Sequence, residues 1–354
     1  MLFPYKPIRH RMGQMQAFVS YIFTKVWCKA PAREYSIELF RGFPALFNVM
    51  DQLHRENLAG IEVGAGAFFY SHVNAIYNDF SVLSSKQIRQ LRNQFRENNN
   101  IRALCEGRYA ASRYPKKGEI SPLMDKTKAF FGALYGSGFF DLKIVRDATG
   151  ADLLSHYRSF MRTNAVPCCP FCGLQPMDTE IDPTREAYDH YLPASVYPFN
   201  SVNLKNLAPA CHKCNSQNKL ASDPLVRDAG SSRLAFYPYA TSHPSISVST
   251  QFTKGREPRD LSDIEIILSA PGYEDQLNTW DSLYKIKQRY AAKSCGPVGG
   301  RYWMDRVLFE SANYGMTPKE MLRAEMIACD NSPWADASFL KRAFLREAEN
   351  VGLI

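Results

Sequence analysis

The chain has 354 residues, a formal net charge of +8 and a sequence pI near 8.9. Its hydrophobic content of 45%, with 13% aromatic residues, is enough to build a core, which excludes an intrinsically disordered protein. No apolar run reaches the length of a transmembrane helix, so we expect no membrane insertion. The positive charge favours an anionic partner, and the unpaired cysteines fit a reducing cytoplasm.

Residues 1–165 are predicted to form a helical N-terminal domain that serves in DNA binding or regulation. Its clearest element is a helix over Ser85–Asn98, for which Ser84 or Ser85 can provide the N-cap. Basic residues on this helix and after it have two interpretations, a solvated surface or contacts to the phosphates of double-stranded DNA. They are Arg89, Arg92, Arg96, Lys116 and Lys117.

Two Cys-x-x-Cys pairs mark the central module, which we place at residues 166–225. They are Cys169 with Cys172, and Cys211 with Cys214. A gap of two residues lets one tight turn present two sulfurs to a single ion, and structural zinc prefers thiolate ligands. We therefore expect a structural Zn²⁺ site, with Cys168 as the alternative to Cys169. A redox role for the pairs lacks the strand–helix context of thioredoxin-like motifs.

A second set of polar residues between and after the pairs suits different chemistry. Asp189 and His190 are adjacent on a strand predicted over Ala187–Leu192; Asn206 follows, and Asn215 comes directly after the last cysteine. Hydrolysis of a phosphodiester needs a base and a cation. Histidine has a pKa suited to the base, and carboxylate and amide oxygens suit Mg²⁺ better than zinc.

These motifs resemble the HNH, or ββα-metal, nuclease family, whose pattern is Cys-x-x-Cys, Asp-His-x-x-Pro, Asn-Leu, then Cys-x-x-Cys-Asn with a nearby Lys. The resemblance covers the central module alone. It implies that His190 is the general base and that Asp189 and Asn215 hold one catalytic Mg²⁺ or Mn²⁺. It also implies that Asn206 braces the loop that orients His190.

Two features depart from the family pattern. Asn215 stands where many members have a third His, and Asn218, one helical turn away, is the alternative metal ligand. The Lys usually falls three residues after the Asn, whereas Lys219 falls one position later. We group Lys219 with the expected DNA contacts.

Residues 226–354 are predicted to be mixed and then helical. Aromatic and β-branched residues suggest strands within Ser232–Phe252 and over Ile264–Ser269. From Tyr273 onward the pattern is helical, and one helix is expected to run through Trp280 and Tyr290. Further helices are predicted over Tyr302–Tyr314, Pro318–Ala328 and Ala335–Val351. We therefore expect an α+β, mainly helical fold, in which the module that resembles HNH nucleases, with its four-cysteine zinc site, is embedded between helical regions.

The expected function is that of a metal-dependent endonuclease that hydrolyses DNA phosphodiester bonds and nicks one strand as a monomer. The extended C-terminal region resembles HNH proteins of bacterial antiphage defence systems, which implies a defence role and protein partners from such a system. Two alternatives stay open. One is a zinc-stabilised protein that binds DNA or a partner without cutting, and the other is a subunit that cuts only inside a complex.

Overall fold

The computed structural model describes residues 1–113, 122–136, 142–150 and 152–354. This part of the chain is mainly helical with two small sheets, as predicted. None of its helices combines the length and the apolarity needed to cross a bilayer. The α-helices are α1 Gln14–Tyr21, α2 Pro44–Leu58, α3 Ala65–Ser81, α4 Ser85–Asn98, α5 Ile101–Cys105, α6 Pro122–Gly136, α7 Lys143–Thr149, α8 Leu153–Asn164, α9 Glu274–Tyr284, α10 Ile286–Cys295, α11 Gly300–Leu308, α12 Pro318–Asn331 and α13 Ser338–Asn350. The strands are β1 Tyr188–His190, β2 Leu207–Pro209, β3 Ser247–Phe252 and β4 Ile264–Ser269.

The first hydrophobic cluster is formed mainly by helices of the N-terminal half, including α1 to α4, α6 and α7. Trp27 is fully buried in it and donates from Nε1 to the carbonyl of Val73, 3.0 Å away. Phe199 and Val202, from the loop between β1 and β2, belong to the same cluster. The N-terminal helices therefore pack directly against the loop that the sequence assigned to the nuclease module.

Helix α4 begins and ends where the sequence predicted. The Ser84 side chain accepts a hydrogen bond from the Gln87 backbone, and the Gln87 side chain accepts one from the Ser84 backbone. This capping box satisfies backbone N–H groups that a helix start otherwise leaves open. Ile88 and Phe95 are buried on the inner face, which orients the arginines outward.

The second hydrophobic cluster joins α5, α8, the cysteine module and the C-terminal helices. The module and residues after it thus share one core, while the predicted three-domain division remains a prediction. Two helical predictions need correction. The helix predicted over Tyr302–Tyr314 ends at Leu308, and Ser311–Tyr314 forms a separate 3₁₀ helix. The chain does not run through Trp280 and Tyr290 as a single helix, because Lys285 adopts a left-handed φ of 55° and separates α9 from α10.

Two antiparallel sheets of two strands each complete the fold. In the first, Asp189 lies opposite Ala208 and His190 lies opposite Leu207. Strand β1 is shorter than the predicted strand over Ala187–Leu192. In the second sheet, β3 pairs with β4 at the predicted positions and α13 packs against it, with Thr250 Oγ1 donating to the Ala343 carbonyl at 3.2 Å.

Candidate active site and metal centre

The four predicted cysteines meet in one buried cluster. The Sγ atoms of Cys169, Cys172, Cys211 and Cys214 all lie within 4.8 Å of one another, and the group can hold a metal ion such as zinc. Cys168 is buried beside the group but is not part of it, so the alternative to Cys169 is set aside.

Tight turns bring each pair of sulfurs together. In the first turn the Gly173 amide donates to the Cys169 carbonyl at 2.7 Å, and in the second the Cys214 amide donates to the Cys211 carbonyl at 2.9 Å. Gly173 has a φ of 67°, and a Cβ there would lie 2.4 Å from the side chain of Leu2. Only glycine fits this position without displacing its neighbours.

C-terminal helices support these turns, which the sequence did not indicate. Trp280 Nε1 donates to the Phe171 carbonyl at 2.7 Å, and the Tyr290 hydroxyl donates to the Cys172 carbonyl at 2.9 Å. Arg289 Nη1 lies 3.3 Å from Cys214 Sγ. A guanidinium at this distance offsets part of the negative charge that clustered thiolates carry.

The hydrogen bond of His190 determines which ring nitrogen carries the proton. Its Nε2 lies 2.8 Å from the carbonyl oxygen of Ser201. A carbonyl can only accept, so Nε2 bears the proton and the neutral ring keeps a lone pair on Nδ1. Burial lowers the pKa of His190 below its ordinary value, partly offset by the Ser201 carbonyl and the charge of Asp189. The imidazole is therefore mainly neutral at neutral pH.

Helix α6 of the N-terminal half also contacts this histidine. The ring of Tyr135 packs edge-on against the His190 ring, with centroids 4.6 Å apart. Ser201, which accepts from His190, is itself fully buried and donates from Oγ to the Phe131 carbonyl at 2.8 Å. No sequence pattern indicated these contacts, because Phe131 and Tyr135 show only the spacing of core residues.

Asn206 ties the two ends of the β1–β2 loop together. Its Oδ1 accepts from the Leu192 amide at 2.8 Å, and its Nδ2 donates to the Leu192 carbonyl at 3.0 Å and to Asn200 Oδ1 at 2.9 Å. The side chain is fully buried. Asn206 thus holds the chain two residues after His190, and it contacts the backbone without reaching the imidazole.

Asp189 and Lys219 form a buried ion pair. Lys219 Nζ lies 2.9 Å from Asp189 Oδ1 and donates to the His190 carbonyl at 2.8 Å. The lysine side chain has no exposed surface and the aspartate side chain has 2%. Lys219 was expected among the DNA contacts, and this burial places its ammonium out of reach of a phosphate.

A wide helical turn accommodates Lys219, which falls one residue later after Asn215 than the lysine of the HNH pattern. Residues Lys213–Lys219 form a π-helix, in which the Leu220 amide donates to the Asn215 carbonyl five residues earlier, at 3.0 Å. A π turn contains one residue more than an α turn. This wider turn brings Lys219 toward the sheet despite the extra residue after Asn215.

The remaining predicted residues divide between this site, the surface and the undescribed part of the chain. Asn215 is partly buried directly after Cys214, and Asn218 Nδ2 donates to the Lys213 carbonyl. Arg89, Arg92 and Arg96 are exposed on α4. Lys116 and Lys117 lie outside the described residues.

The end of α4 is joined to the loop that holds His190. Asn200 Nδ2 donates to the Asn98 carbonyl at 3.1 Å, and Asn99 Nδ2 donates to the Phe199 carbonyl at 3.1 Å. These bonds connect the arginine-bearing helix to the residues that flank Ser201.

Comparison with known proteins finds no matching family model, no matching curated protein and no matching solved structure.

Proposed function

We propose that the protein is a metal-dependent endonuclease of the HNH type that hydrolyses phosphodiester bonds in DNA. The observation that carries the proposal is the bond from His190 Nε2 to the Ser201 carbonyl. It leaves the Nδ1 lone pair as the proton acceptor that a general base requires.

In this mechanism His190 takes a proton from water at Nδ1, and the water oxygen attacks phosphorus in line with the leaving 3′ oxygen. The Ser201 carbonyl holds the ring through Nε2, and Phe131 holds Ser201. Asn206 fixes the backbone after the histidine. A base held by packed neighbours is already oriented when the substrate arrives, which lowers the entropic cost of the step.

The donors suit a hard divalent cation. Asp189 Oδ2 is buried and has no hydrogen-bond partner among the described residues, and such an oxygen is costly unless a donor or cation satisfies it. Asp189 through this oxygen and Asn215 through its amide oxygen would hold Mg²⁺ or Mn²⁺. The ion, when bound, neutralises charge on the phosphate and the leaving oxygen. Lys219 already neutralises the other carboxylate oxygen.

The cysteine cluster is assigned a structural Zn²⁺. Four buried thiolates would fill the tetrahedral coordination shell that structural zinc prefers and would leave no position for a substrate. The second turn continues directly into the π-helix that carries Asn215 and Lys219. The zinc would thereby hold the segment that faces Asp189.

DNA is proposed to lie along the exposed arginines of α4. Arg89, Arg92 and Arg96 provide positive charge on a helix joined at its C-terminal end to the His190 loop. Contacts of this kind position a backbone without reading its sequence.

The proposal is tested on supercoiled plasmid with Mg²⁺, Mn²⁺ or EDTA. Wild type is expected to convert the plasmid to the nicked form in a metal-dependent way, and His190→Ala is expected to lose this activity while keeping its zinc and its fold. His72→Ala, which removes an imidazole on α3 outside the site, is the matched control. Equal cutting by His190→Ala and wild type would overturn the assignment.

The Asp189–Lys219 pair favours a second candidate, a nuclease that is closed until a partner or DNA rearranges the site. An ammonium on Oδ1 and burial of the whole carboxylate both oppose entry of a hydrated ion. If the enzyme is closed, Mn²⁺ does not reach Asp189 while DNA is absent. Titration of Mn²⁺ into wild type and into Asp189→Asn should then give the same electron paramagnetic resonance signal. A Mn²⁺ site present in wild type and lost in Asp189→Asn would favour the open enzyme.

A further inference from the structure

We propose that Arg289 is a positioning residue of the metal centre, which balances the charge of the zinc-bound cysteines through Cys214 and so sets how tightly the metal is held. The proposal rests on the assignment of zinc to the cysteine cluster and is independent of nuclease activity. Its starting point is the contact between Arg289 Nη1 and Cys214 Sγ, which lie 3.3 Å apart. At this distance the guanidinium donates a charged hydrogen bond to the sulfur.

The cysteine cluster carries more negative charge than one zinc ion removes. Four thiolates around Zn²⁺ leave a net charge of about −2. The cluster is buried, so water screens this charge poorly. Free thiols are mainly neutral at neutral pH, whereas the metal-loaded cluster is anionic. A cation beside the sulfurs therefore favours the loaded form.

Arg289 lacks a carboxylate partner of its own. Among the described residues its guanidinium bonds to Cys214 Sγ and to the Tyr284 carbonyl, both from Nη1, and forms no salt bridge with an Asp or Glu. The side chain is partly buried, and its Nη2 has no hydrogen-bond partner in that part of the chain. A cation in such a place is costly unless a negative charge lies close to it. The cluster supplies that charge, so cation and cluster stabilise each other.

The corner between α9 and α10 fixes the guanidinium against the sulfur. Lys285 turns the chain there with a φ of 55°, and its carbonyl accepts from the Arg289 amide at 2.9 Å. The Tyr284 carbonyl accepts from Nη1 at 3.3 Å. The next residue, Tyr290, donates to the Cys172 carbonyl in the other cysteine turn. Helix α10 thus contacts both cysteine pairs, the first at a carbonyl and the second at a sulfur.

This contact distinguishes Cys214 from the other three cysteines. Among the described residues, it is the one whose sulfur lies within hydrogen-bond distance of a charged donor. Cys169 Sγ instead accepts from the backbone amide of Cys211 at 3.5 Å. A hydrogen bond lowers the energy of the lone pairs of a thiolate, and partners of this kind tune the bound metal. Removal of Arg289 should therefore change the electronic spectrum of the centre as well as its affinity.

The test compares Arg289→Met with Tyr290→Phe in the whole protein. The first change removes the charge and the bond to sulfur, whereas the matched control removes a bond from the same helix to a carbonyl. Zinc affinity is measured by competition with a chromophoric chelator, and the thiolate-to-metal charge-transfer band is recorded after substitution with Co²⁺. Arg289→Met should weaken zinc binding at least about tenfold and shift the band to longer wavelength. Tyr290→Phe should leave the band unshifted, and Arg289→Lys, which keeps the charge, should recover most of the affinity.

An affinity of Arg289→Met within about threefold of wild type, or an unshifted band, would overturn the proposal. If Arg289→Met does not fold, Arg289→Gln and Arg289→Lys take its place. The Gln variant should then bind zinc at least about tenfold more weakly than the Lys variant, and equal affinities would overturn the proposal. Wild type without zinc in elemental analysis would overturn both this proposal and the assignment of the cluster. Neither measurement involves DNA, so a failed plasmid assay would leave the result unaffected.

Discussion

Replacement of Lys219 by Met tests the buried ion pair at the centre of the site. The substitution keeps the length of the side chain and removes the charge that faces Asp189 at 2.9 Å. Because both side chains are buried, loss of one partner leaves an uncompensated charge, which costs about 3–5 kcal/mol. The free energy of unfolding should fall by this amount in urea titrations.

A double-mutant cycle separates the pair from the general effect of a substitution. Asp189→Asn combined with Lys219→Met removes both charges, and we expect the double variant to be at least about 2 kcal/mol more stable than the sum of the single effects predicts. Lys213→Met is the matched control, since this exposed lysine in the same π-helix should change stability by less than about 0.5 kcal/mol. A Lys219→Met variant that loses well under about 3 kcal/mol, the lower end of the cost of a broken buried pair, or strictly additive effects, would refute the reasoning.

Three further predictions concern the metal cluster, the loop and a buried histidine. Cys172→Ala should lose bound zinc in elemental analysis, while Cys168→Ala, next to the cluster but outside it, should retain zinc. Asn206→Ala leaves both backbone groups of Leu192 without their partner and should cost about 2–4 kcal/mol in urea titrations; a cost under about 1 kcal/mol would contradict this. Burial lowers the pKa of His156 from 6.5 to about 4, so the unfolded chain binds the proton more tightly than the folded one. The neutral, buried form of His156 therefore stabilises the fold fully above the pKa of the unfolded chain. As the pH falls from 7 to 5, the free energy of unfolding should decrease by about 2 kcal/mol, and His156→Gln should remove this part of the pH dependence.

The cysteine cluster was predictable from the sequence because ligand spacing is a local property. Two Cys-x-x-Cys pairs bring four sulfurs together once the chain between them folds back, and the structure confirms that they meet. Helix α4 was predictable for the same reason, since its cap and its apolar spacing lie within the segment itself. Both predictions depend on a few neighbouring residues.

The burial of Lys219 was not predictable, because it depends on parts of the chain that are distant in the sequence. A lysine after a Cys-x-x-Cys turn in a basic protein is expected at the surface, and Lys219 instead is buried against Asp189. The π turn that places it there has no recognised sequence pattern. The break at Lys285 has a similar origin, since a non-glycine residue in the left-handed region is held by packing on both sides.

The position of His190 depends on contacts from outside the central module. The histidine is held by Ser201, Ser201 is held by Phe131 of α6, and Asn200 is held by the C-terminal end of α4. Phe199 and Val202 bury their side chains among the N-terminal helices. The cysteine turns, at the other end of the module, depend on Trp280 and Tyr290 from the C-terminal region, at Phe171 and Cys172. The motif supplies the proposed reactive groups, the N-terminal flank contacts the loop that holds His190, and the C-terminal flank contacts the cysteine turns, so a change in the N-terminal flank has a direct path to the proposed general base.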